Sequence, residues 1–178
     1  MKLKTFLGIT LMGIFSLVFS ACSSIPEGVV AIKPFDKEKY LGKWYEIARF
    51  DFTFERNLNN TSAEYSVNDD GTLKVVNRGY NYEKKQWKEA TGIAKFAGAS
   101  DVAMLKVSFF RPFYGGYNVI ALDKDYRYAL VCGNNLSYLW ILSRETTIPE
   151  DIKQNYLTVA KKLGFNTSAL IWVEHTSK

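Results

Sequence analysis

From residue 44 onward, apolar and polar positions alternate along the chain in eight successive stretches, and turn-forming residues separate the stretches. Alternation with a period of two is typical of strands that bury one face. The predicted strands span residues 44–52, 61–67, 72–80, 86–96, 103–110, 117–122, 126–132 and 138–144. Because their faces are striped and their connections are short, the pattern predicts an all-β domain, an eight-stranded antiparallel up-and-down barrel.

Helical periodicity occurs at two places beside the strands. Residues 36–41 predict one short helical turn before the first strand. After the eighth strand, apolar residues recur at helical spacing until Gly164, and Thr147 with Glu150 offers a capping box. The sequence therefore predicts one C-terminal helix that packs on the outer wall of the barrel, and a last short strand at residues 169–173.

The first 21 residues form a secretory signal, with Lys2 and Lys4 before a short apolar run. The following Phe19-Ser20-Ala21-Cys22 resembles a bacterial lipobox, which implies that Cys22 becomes the acylated first residue. Ser23 then implies the outer membrane, with the protein facing the periplasm. The alternative is a plain secretory signal with an incidental cysteine. We divide the chain into a signal peptide (1–21), a lipidated N-terminus with a tether (22–34) and a barrel domain (35–178).

Composition and charge favour a binding protein over an enzyme or a nucleic-acid partner. The net charge of +5 is mild and mixed with acidic residues, and two of the lysines lie in the signal. The single histidine, His175, lies near the end of the chain, so no histidine-based triad or metal site can be built, and no cofactor is implied. Cys132 is either a small buried hydrophobe or a reactive thiol, and its position in the alternation points it away from the interior.

Small residues on the predicted inner face favour a cavity over a solid core. An acyl chain needs only an apolar tube, whereas its head group needs polar partners near the mouth. We expect the tail against the small and aliphatic positions, and the head near Tyr114, Asn118, Tyr138 and Trp140. Glu46 is either hydrogen-bonded near Trp44 or a specificity group. The predicted ligand-binding residues are Ala48, Phe50, Ala63, Tyr65, Val75, Asn77, Ala94, Phe96, Val107, Phe109, Tyr114, Asn118, Tyr138 and Trp140.

Three short motifs resemble those of the lipocalins: Gly42-Lys43-Trp44, Leu122-Asp123-Lys124-Asp125-Tyr126 and Leu142-Ser143-Arg144. The resemblance implies that Arg144 stacks over the indole of Trp44 and, with Gly42, closes the floor of the barrel. Together with the lipobox, the segments around Trp44, Tyr117 and Trp140 resemble the bacterial outer-membrane lipocalins, which are related to apolipoprotein D. This implies storage or transport of fatty acids or phospholipids for envelope maintenance.

Other functions stay open at this point. The cavity could hold another small hydrophobe, such as a pigment or a retinoid, although the lack of a cavity histidine argues against haem. A solidly packed interaction protein and an enzyme that uses Cys132 are further alternatives. Aromatic residues around positions 110–117 could also form a homodimer contact.

Overall fold

The structure, a computed structural model, describes residues 24–176 and contains a closed antiparallel barrel. Each strand pairs with the next along the chain, and the eighth strand returns to the first, which confirms the predicted eight-stranded up-and-down topology. The strands are β1 Gly42–Arg49, β2 Leu58–Val67, β3 Leu73–Asn81, β4 Gln86–Phe96, β5 Met104–Phe110, β6 Phe113–Leu122, β7 Tyr128–Cys132 and β8 Leu139–Ser143.

Four short elements complete the fold. They are the helices α1 (Lys37–Tyr40) and α2 (Glu150–Lys162), a 3-10 turn (Thr167–Ala169) and a two-residue strand β9 (Ile171–Trp172). Strand β9 pairs with β1, beside the barrel. Within residues 24–176, no helix is long and apolar enough to cross a membrane.

The start of α2 differs from the predicted capping box. Pro149 is the N-cap residue, and no side chain makes a capping hydrogen bond there. The carbonyl oxygen of Thr147 instead accepts a hydrogen bond from Ser143 Oγ, at 2.8 Å, so this residue belongs to the turn that follows β8. The predicted cap at Thr147 is therefore wrong, whereas the helix does end before Gly164, whose φ of +88° suits glycine.

A β-bulge in β1 reverses the side-chain alternation near the end of that strand. In the pairing with β8, Glu46 lies opposite Leu142, whereas Ala48 lies opposite Ile141 and Arg49 opposite Trp140. One extra residue on the bulged strand moves every later side chain to the other face. Arg49 consequently points into the barrel, and Ala48 points out.

The apolar residues form two separate cores. One lies inside the barrel, toward the end where β1 begins, and includes Trp44, Val75 and Ala94. The other lies between the outer wall and α2, where Ile141 of the wall meets Tyr156 of the helix. Tyr156 also donates its hydroxyl to the carbonyl oxygen of Tyr128, at 2.8 Å. The helix therefore covers the wall, as predicted, and leaves the barrel interior to the strands.

Residues 24–34, which the sequence assigned to the tether, lie against the barrel. The carbonyl oxygen of Ser24 accepts a hydrogen bond from Asn118 Nδ2 at 2.8 Å, and the backbone of Ile32 bonds to Val119 and Ala103. Residues 24–32 therefore lie against β6, and Phe35 then bonds to Asp101 in the β4–β5 loop. The signal peptide and Cys22 lie outside the described residues, and the division of the chain at residue 34 stays a prediction.

Candidate ligand-binding site

The barrel is closed at the end where β1 begins. The indole of Trp44 is fully buried, and its Nε1 donates to the carbonyl oxygen of Tyr40 at 2.8 Å. The guanidinium carbon of Arg144 lies 3.9 Å from the centre of the Trp44 ring, a close cation–π contact. The backbone of Gly42, at φ +86°, passes directly beside this guanidinium. These contacts have the geometry expected for the predicted floor.

Arg144 also holds three chain segments together. Its Nη2, Nη1 and Nε donate to the carbonyl oxygens of Lys39, Lys43 and Tyr126, at 2.8, 2.9 and 3.1 Å. Tyr126 belongs to the β6–β7 turn, in which the Asp123 carboxylate accepts three backbone hydrogen bonds. Burial lowers the pKa of Arg144, but an arginine stays charged at any ordinary pH. The floor therefore depends on one cation that links α1, β1 and the β6–β7 turn.

Three tyrosine hydroxyls form a polar layer above the floor. Tyr117 OH lies 2.7 Å from Tyr40 OH and accepts a hydrogen bond from Tyr65 OH at 2.8 Å. Burial raises the pKa of all three phenols well above their usual range, so the hydroxyls stay protonated. Their mutual hydrogen bonds satisfy polar groups that would otherwise be costly in an apolar interior.

Above this layer, the inner wall is apolar but incompletely filled. Asn77 of β3 pairs with Ala90 of β4. Because alternate residues of a strand share a face, Asn77 points to the same inner side as Val75, and Ala90 points to the same inner side as Ala94. Ala94 is fully buried, whereas Ala90 is exposed although it faces the interior. Other inward residues at this level are only half-buried: Asn77, Gly92, Val107, Phe109 and Trp140. Water-accessible space therefore remains in the half of the barrel that is distant from the floor.

Aromatic rings line the open end. Phe52 in the β1–β2 loop packs edge-on against both Tyr138 and Trp140, with ring centres 5.9 and 5.6 Å apart. Tyr138 stacks on Trp140 at an interplanar angle of 15°. The two residues predicted on β8 therefore lie together at the mouth, and Phe52 joins them from a loop.

A cluster of charged groups is buried beside these rings. Arg49 is only 2% exposed, and its Nη2 donates to the carbonyl oxygens of Glu55 and Leu58. Its Nη1 lies 3.7 Å from a Glu46 carboxylate oxygen, and its Nε lies 3.6 Å from a Glu55 carboxylate oxygen. Trp140 Nε1 donates to the same Glu55 oxygen at 3.2 Å. Glu46 thus belongs to a mouth-side cluster and not to the Trp44 floor.

The surroundings of Glu55 perturb the pKa of its carboxyl group. Burial, followed by the repulsion and hydrogen bonding of the Glu46 carboxyl, raises the pKa of Glu55 well above its usual range. Arg49 and Trp140 offset only part of this effect. A protonated Glu55 relieves the repulsion between two buried carboxyl groups that lie beside a single guanidinium.

Two predicted ligand contacts on β1 are wrong in their orientation. Ala48 and Phe50 belong to the core under α2, where the Phe50 and Phe165 rings lie 6.4 Å apart. The bulge after Glu46 sends them outward, and a pattern with period two gives no warning of such an insertion.

Two predicted ligand contacts on β6 are also misplaced. Tyr117 and Val119 face the interior, so Tyr114 and Asn118 face out. The Tyr114 ring lies 4.6 Å from Lys95 Nζ on the outer wall. Asn118 Nδ2 donates to the carbonyl oxygens of Ser24 and Gly133, so this residue pins the N-terminal segment to the barrel.

The remaining predicted ligand residues face the interior core or the mouth: Ala63, Tyr65, Val75, Asn77, Ala94, Phe96, Val107, Phe109, Tyr138 and Trp140. Phe96 and Tyr65 belong to the lower half, where Phe96 meets Phe35 edge-on at 6.3 Å. Whether any of these residues contacts a ligand stays a prediction.

Cys132 lies outside the cavity. It is fully buried in the core under α2, and it forms no disulfide. Burial raises the pKa of its thiol to about 12. A thiol held in this form is a poor nucleophile, which argues against the alternative of an enzyme that uses Cys132. In the described part of the chain, no group of three or more His, Cys, Asp and Glu side chains could hold a metal ion.

Sequence reasoning missed three interior residues: Arg49, Glu55 and Tyr117. The period-two pattern points Arg49 outward because the bulge leaves no mark in the sequence, and no feature of the β1–β2 loop sequence marks Glu55 as an interior residue. The same pattern points Tyr117 outward because β6 is apolar on both faces over residues 119–122. Tyr117 and Asn118 are adjacent in the strand, so one side chain faces the interior and the other faces out. Only the partners that each side chain meets in the folded protein decide which one faces the interior.

Comparison with known proteins agrees with this architecture. Residues 35–175 match the family described as the lipocalin-like domain. The chain is 56% identical over 156 residues to the outer membrane lipoprotein Blc of Escherichia coli K12, covering 86% of this chain and 88% of the relative. It is 48% identical over 160 residues to the Vibrio cholerae protein of the same name, covering 89% and 94%.

Solved structures with little sequence similarity share the fold. Insecticyanin from the tobacco hornworm Manduca sexta superposes with a TM-score of 0.69 at 19% identity, covering 87% of this chain and 88% of insecticyanin. A barrel with a Trp–Arg floor, an open mouth and a helix on its wall defines a lipocalin. The chain belongs to the lipocalin family, within which its sequence is similar to the bacterial outer membrane lipoproteins.

Proposed function

We propose that this protein is a lipid-binding lipocalin of the outer membrane, anchored through an acylated Cys22 and facing the periplasm. We propose further that it stores or transports a single-chain lipid, a fatty acid or a lysophospholipid, for envelope maintenance. The similarity to relatives named outer membrane lipoproteins supports the anchor and the location. The open interior supports the ligand class.

One observation carries the ligand proposal. Inward residues near the mouth stay accessible to solvent, whereas the floor side is sealed by Trp44 and the tyrosine layer. A blind apolar tube that opens at one end suits a molecule with one apolar tail and one polar head. In this proposal, the tail lies against the half-buried side chains of Val107, Phe109 and Trp140, above the filled part of the core, and the head stays at the mouth.

The head group requires a polar environment at the mouth. By the alternation of β4, Lys88 shares the inner face with Ala90 and lies nearer to the open end, where it pairs with Gly79. Lys88 is exposed, so its ammonium group is available to a carboxylate or a phosphate. Tyr138 and Trp140 supply an aromatic rim at β8, on the side of the barrel opposite β4. We therefore propose an anionic head group that meets Lys88, with the uppermost methylenes against Trp140.

Tail length provides a quantitative test. Each buried methylene contributes about 0.8 kcal/mol, so a chain shorter by two methylenes should bind roughly fifteenfold more weakly. Titration of the purified protein with saturated fatty acids of increasing length, followed by tryptophan fluorescence, measures this slope. Affinity that does not depend on chain length would contradict tail burial.

Variants at the mouth test the placement of the head. Replacing Tyr138 and Trp140 by Ala should weaken lipid binding, and Lys88→Gln should weaken anionic lipids more than uncharged monoacylglycerol. Trp87→Ala is the matched control, because Trp87 is exposed on the outer face beside Arg78. Unchanged lipid affinity in the Tyr138 and Trp140 variants would contradict the proposed position of the head group at the mouth. The absence of any lipid response from folded protein would point to another small hydrophobe.

A further inference from the structure

Two polar side chains on the inner wall of the barrel lack hydrogen-bond partners. Thr61 on β2 is only 3% exposed, and Asn77 on β3 is half-buried. Within the described residues, neither Thr61 Oγ1 nor Asn77 Oδ1 has a hydrogen-bond partner, and both atoms are shielded from solvent. An unpaired polar atom in a protein interior costs free energy, so it marks a place where a further partner can bind. We call Thr61 and Asn77 the polar pair.

The other buried polar atoms that lack hydrogen bonds in the described part of the chain have a different setting. Arg49 Nε and Nη1 lie 3.6 and 3.7 Å from carboxylate oxygens of Glu55 and Glu46, so charge attraction stabilises these atoms. Ser108 and Asn118 each follow an inward residue directly, so both point out of the barrel. Among these atoms, the polar pair alone faces the interior without compensation.

The polar pair lies on two neighbouring strands. Asn77 pairs with Ala63, two residues after Thr61, so Thr61 and Asn77 are diagonal neighbours. Val75 belongs to the interior core, so Asn77 and Gly79, which alternate with it along β3, also point inward. A side chain at Gly79 would overlap the methyl group of Thr61, which shows that Thr61 points to the same inner side. The β2–β3 wall of the cavity therefore carries two unpaired oxygen atoms.

The chemistry of these two atoms selects their partner. Asn77 Oδ1 is only an acceptor, so it needs a donor, whereas the Thr61 hydroxyl can donate or accept. A methylene group has no polar atom, and an ionised carboxylate only accepts, so neither part of a plain fatty acid can bond to Asn77 Oδ1. A hydroxyl group both donates and accepts. One hydroxyl of a ligand can therefore donate to Asn77 Oδ1 and accept from Thr61 Oγ1.

The depth of the polar pair sets the position of this hydroxyl group in the ligand. Gly79 pairs with Lys88, and Asn77 is two strand residues closer to the floor, a distance of about 7 Å. The long, exposed side chain of Lys88 can cover part of this distance. When the anionic group meets Lys88, a hydroxyl group on the second or third carbon from that group reaches the polar pair.

We propose that Thr61 and Asn77 recognise a hydroxyl group next to the anionic head of the lipid, so that the barrel prefers hydroxylated single-chain lipids to plain fatty acids. This inference rests on the proposed lipid-binding function and specifies the ligand chemistry within it. Two lipid classes carry the required group: β-hydroxy fatty acids, and monoacylglycerol phosphates through the free hydroxyl of their glycerol.

Matched lipid pairs test this recognition. The purified protein is titrated by calorimetry with β-hydroxymyristic acid and with myristic acid, below their micelle concentrations. The second pair is myristoyl lysophosphatidic acid and its analogue without the free glycerol hydroxyl. The hydroxylated member of at least one pair should bind roughly fivefold to tenfold more tightly, the effect of one hydrogen bond. A preference within only one pair identifies the lipid class that supplies the hydroxyl group.

Variants that keep the shape of the side chains link this preference to the polar pair. Asn77→Leu and Thr61→Val should each remove most of the preference, because neither new side chain can bond to a hydroxyl group. Val107→Ala is the matched control, because it shortens an apolar side chain of the same cavity and should weaken both members of a pair equally. Urea unfolding checks the fold, and neither polar variant should lose stability, since the atoms removed are unpaired.

Three results would overturn the proposal. Equal affinity within both lipid pairs would show that the cavity does not distinguish the hydroxyl group, although lipid binding itself would stand. A preference that persists in both Asn77→Leu and Thr61→Val would assign the recognition to other residues. Folded protein that binds none of the four lipids would refute the proposed function and this inference with it, so the two failures are distinguishable.

Discussion

Removing the guanidinium of Arg144 should destabilise the barrel without changing its affinity for lipid. The Arg144→Met substitution keeps a similar aliphatic stem but loses the cation–π contact with Trp44 and three hydrogen bonds to carbonyl oxygens. The cation–π contact contributes about 1 kcal/mol at a half-buried site. Each hydrogen bond contributes about 1 kcal/mol, and water will replace part of that at this partly exposed position.

The sum predicts a loss of about 2–3 kcal/mol in the free energy of unfolding. For a chain of this size, that corresponds to a fall in Tm of roughly 5–10 °C. Urea unfolding at equilibrium, followed by far-ultraviolet circular dichroism, measures the change. Arg127→Met is the matched control, because Arg127 makes an exposed ion pair with Glu145, and such pairs contribute about 0–1 kcal/mol.

A double-mutant cycle with Trp44→Phe separates the ring contact from the hydrogen bonds. We expect a coupling energy of about 1 kcal/mol between positions 44 and 144. Lipid affinity should stay constant, because the tyrosine layer lies between the floor and the accessible cavity. A loss below about 0.5 kcal/mol, a coupling near zero, or a drop in affinity comparable to that of the mouth variants would refute this reasoning.

Three further predictions concern the interior and the wall. Glu55→Gln should raise Tm more at pH 7 than at pH 4. The pKa of Glu55 is raised in the folded state, so the stability of the wild type falls as the pH rises above the pKa of Glu55 in the unfolded chain. An equal gain in Tm at both pH values would contradict this. Ala90→Phe should abolish lipid binding with little loss of stability, whereas Thr91→Phe on the outer face should bind normally; binding titrations with thermal melts check both. Cys132 should resist alkylation at pH 8 in the folded protein and react fully in urea, and rapid labelling of the native protein would argue against the buried thiol.

The positions of most strands could be predicted from the sequence, because most of the strands bury only one face. β4 begins and ends where the alternation predicted, at Gln86 and Phe96, and β3 and β5 start within one residue of prediction. The floor was also predictable, but only through the resemblance of Trp44 and Arg144 to family motifs. Periodicity alone does not pair a tryptophan with an arginine a hundred residues away.

The errors in the predicted ligand contacts share one physical cause: the face of the sheet to which each strand residue points. The bulge after Glu46 placed Ala48 and Phe50 outside and Arg49 inside, and a bulge leaves no mark in a period-two pattern. On β6, coverage of the outer wall by other elements makes both faces apolar, so Tyr114 and Asn118 were assigned to the wrong side. A buried arginine such as Arg49 needs partners from β1 and from the following loop, and this proximity exists only after folding.

The most direct test of the proposed function is an equilibrium titration of the purified protein with a lysophospholipid below its micelle concentration. Intrinsic tryptophan fluorescence reports on Trp140 at the mouth, and circular dichroism verifies the fold. The proposed cavity predicts a saturable change with one lipid per barrel, and the same change should be absent in Ala90→Phe. Folded protein that shows no saturable response, or that responds equally when Ala90→Phe blocks the interior, would contradict a lipid-binding barrel.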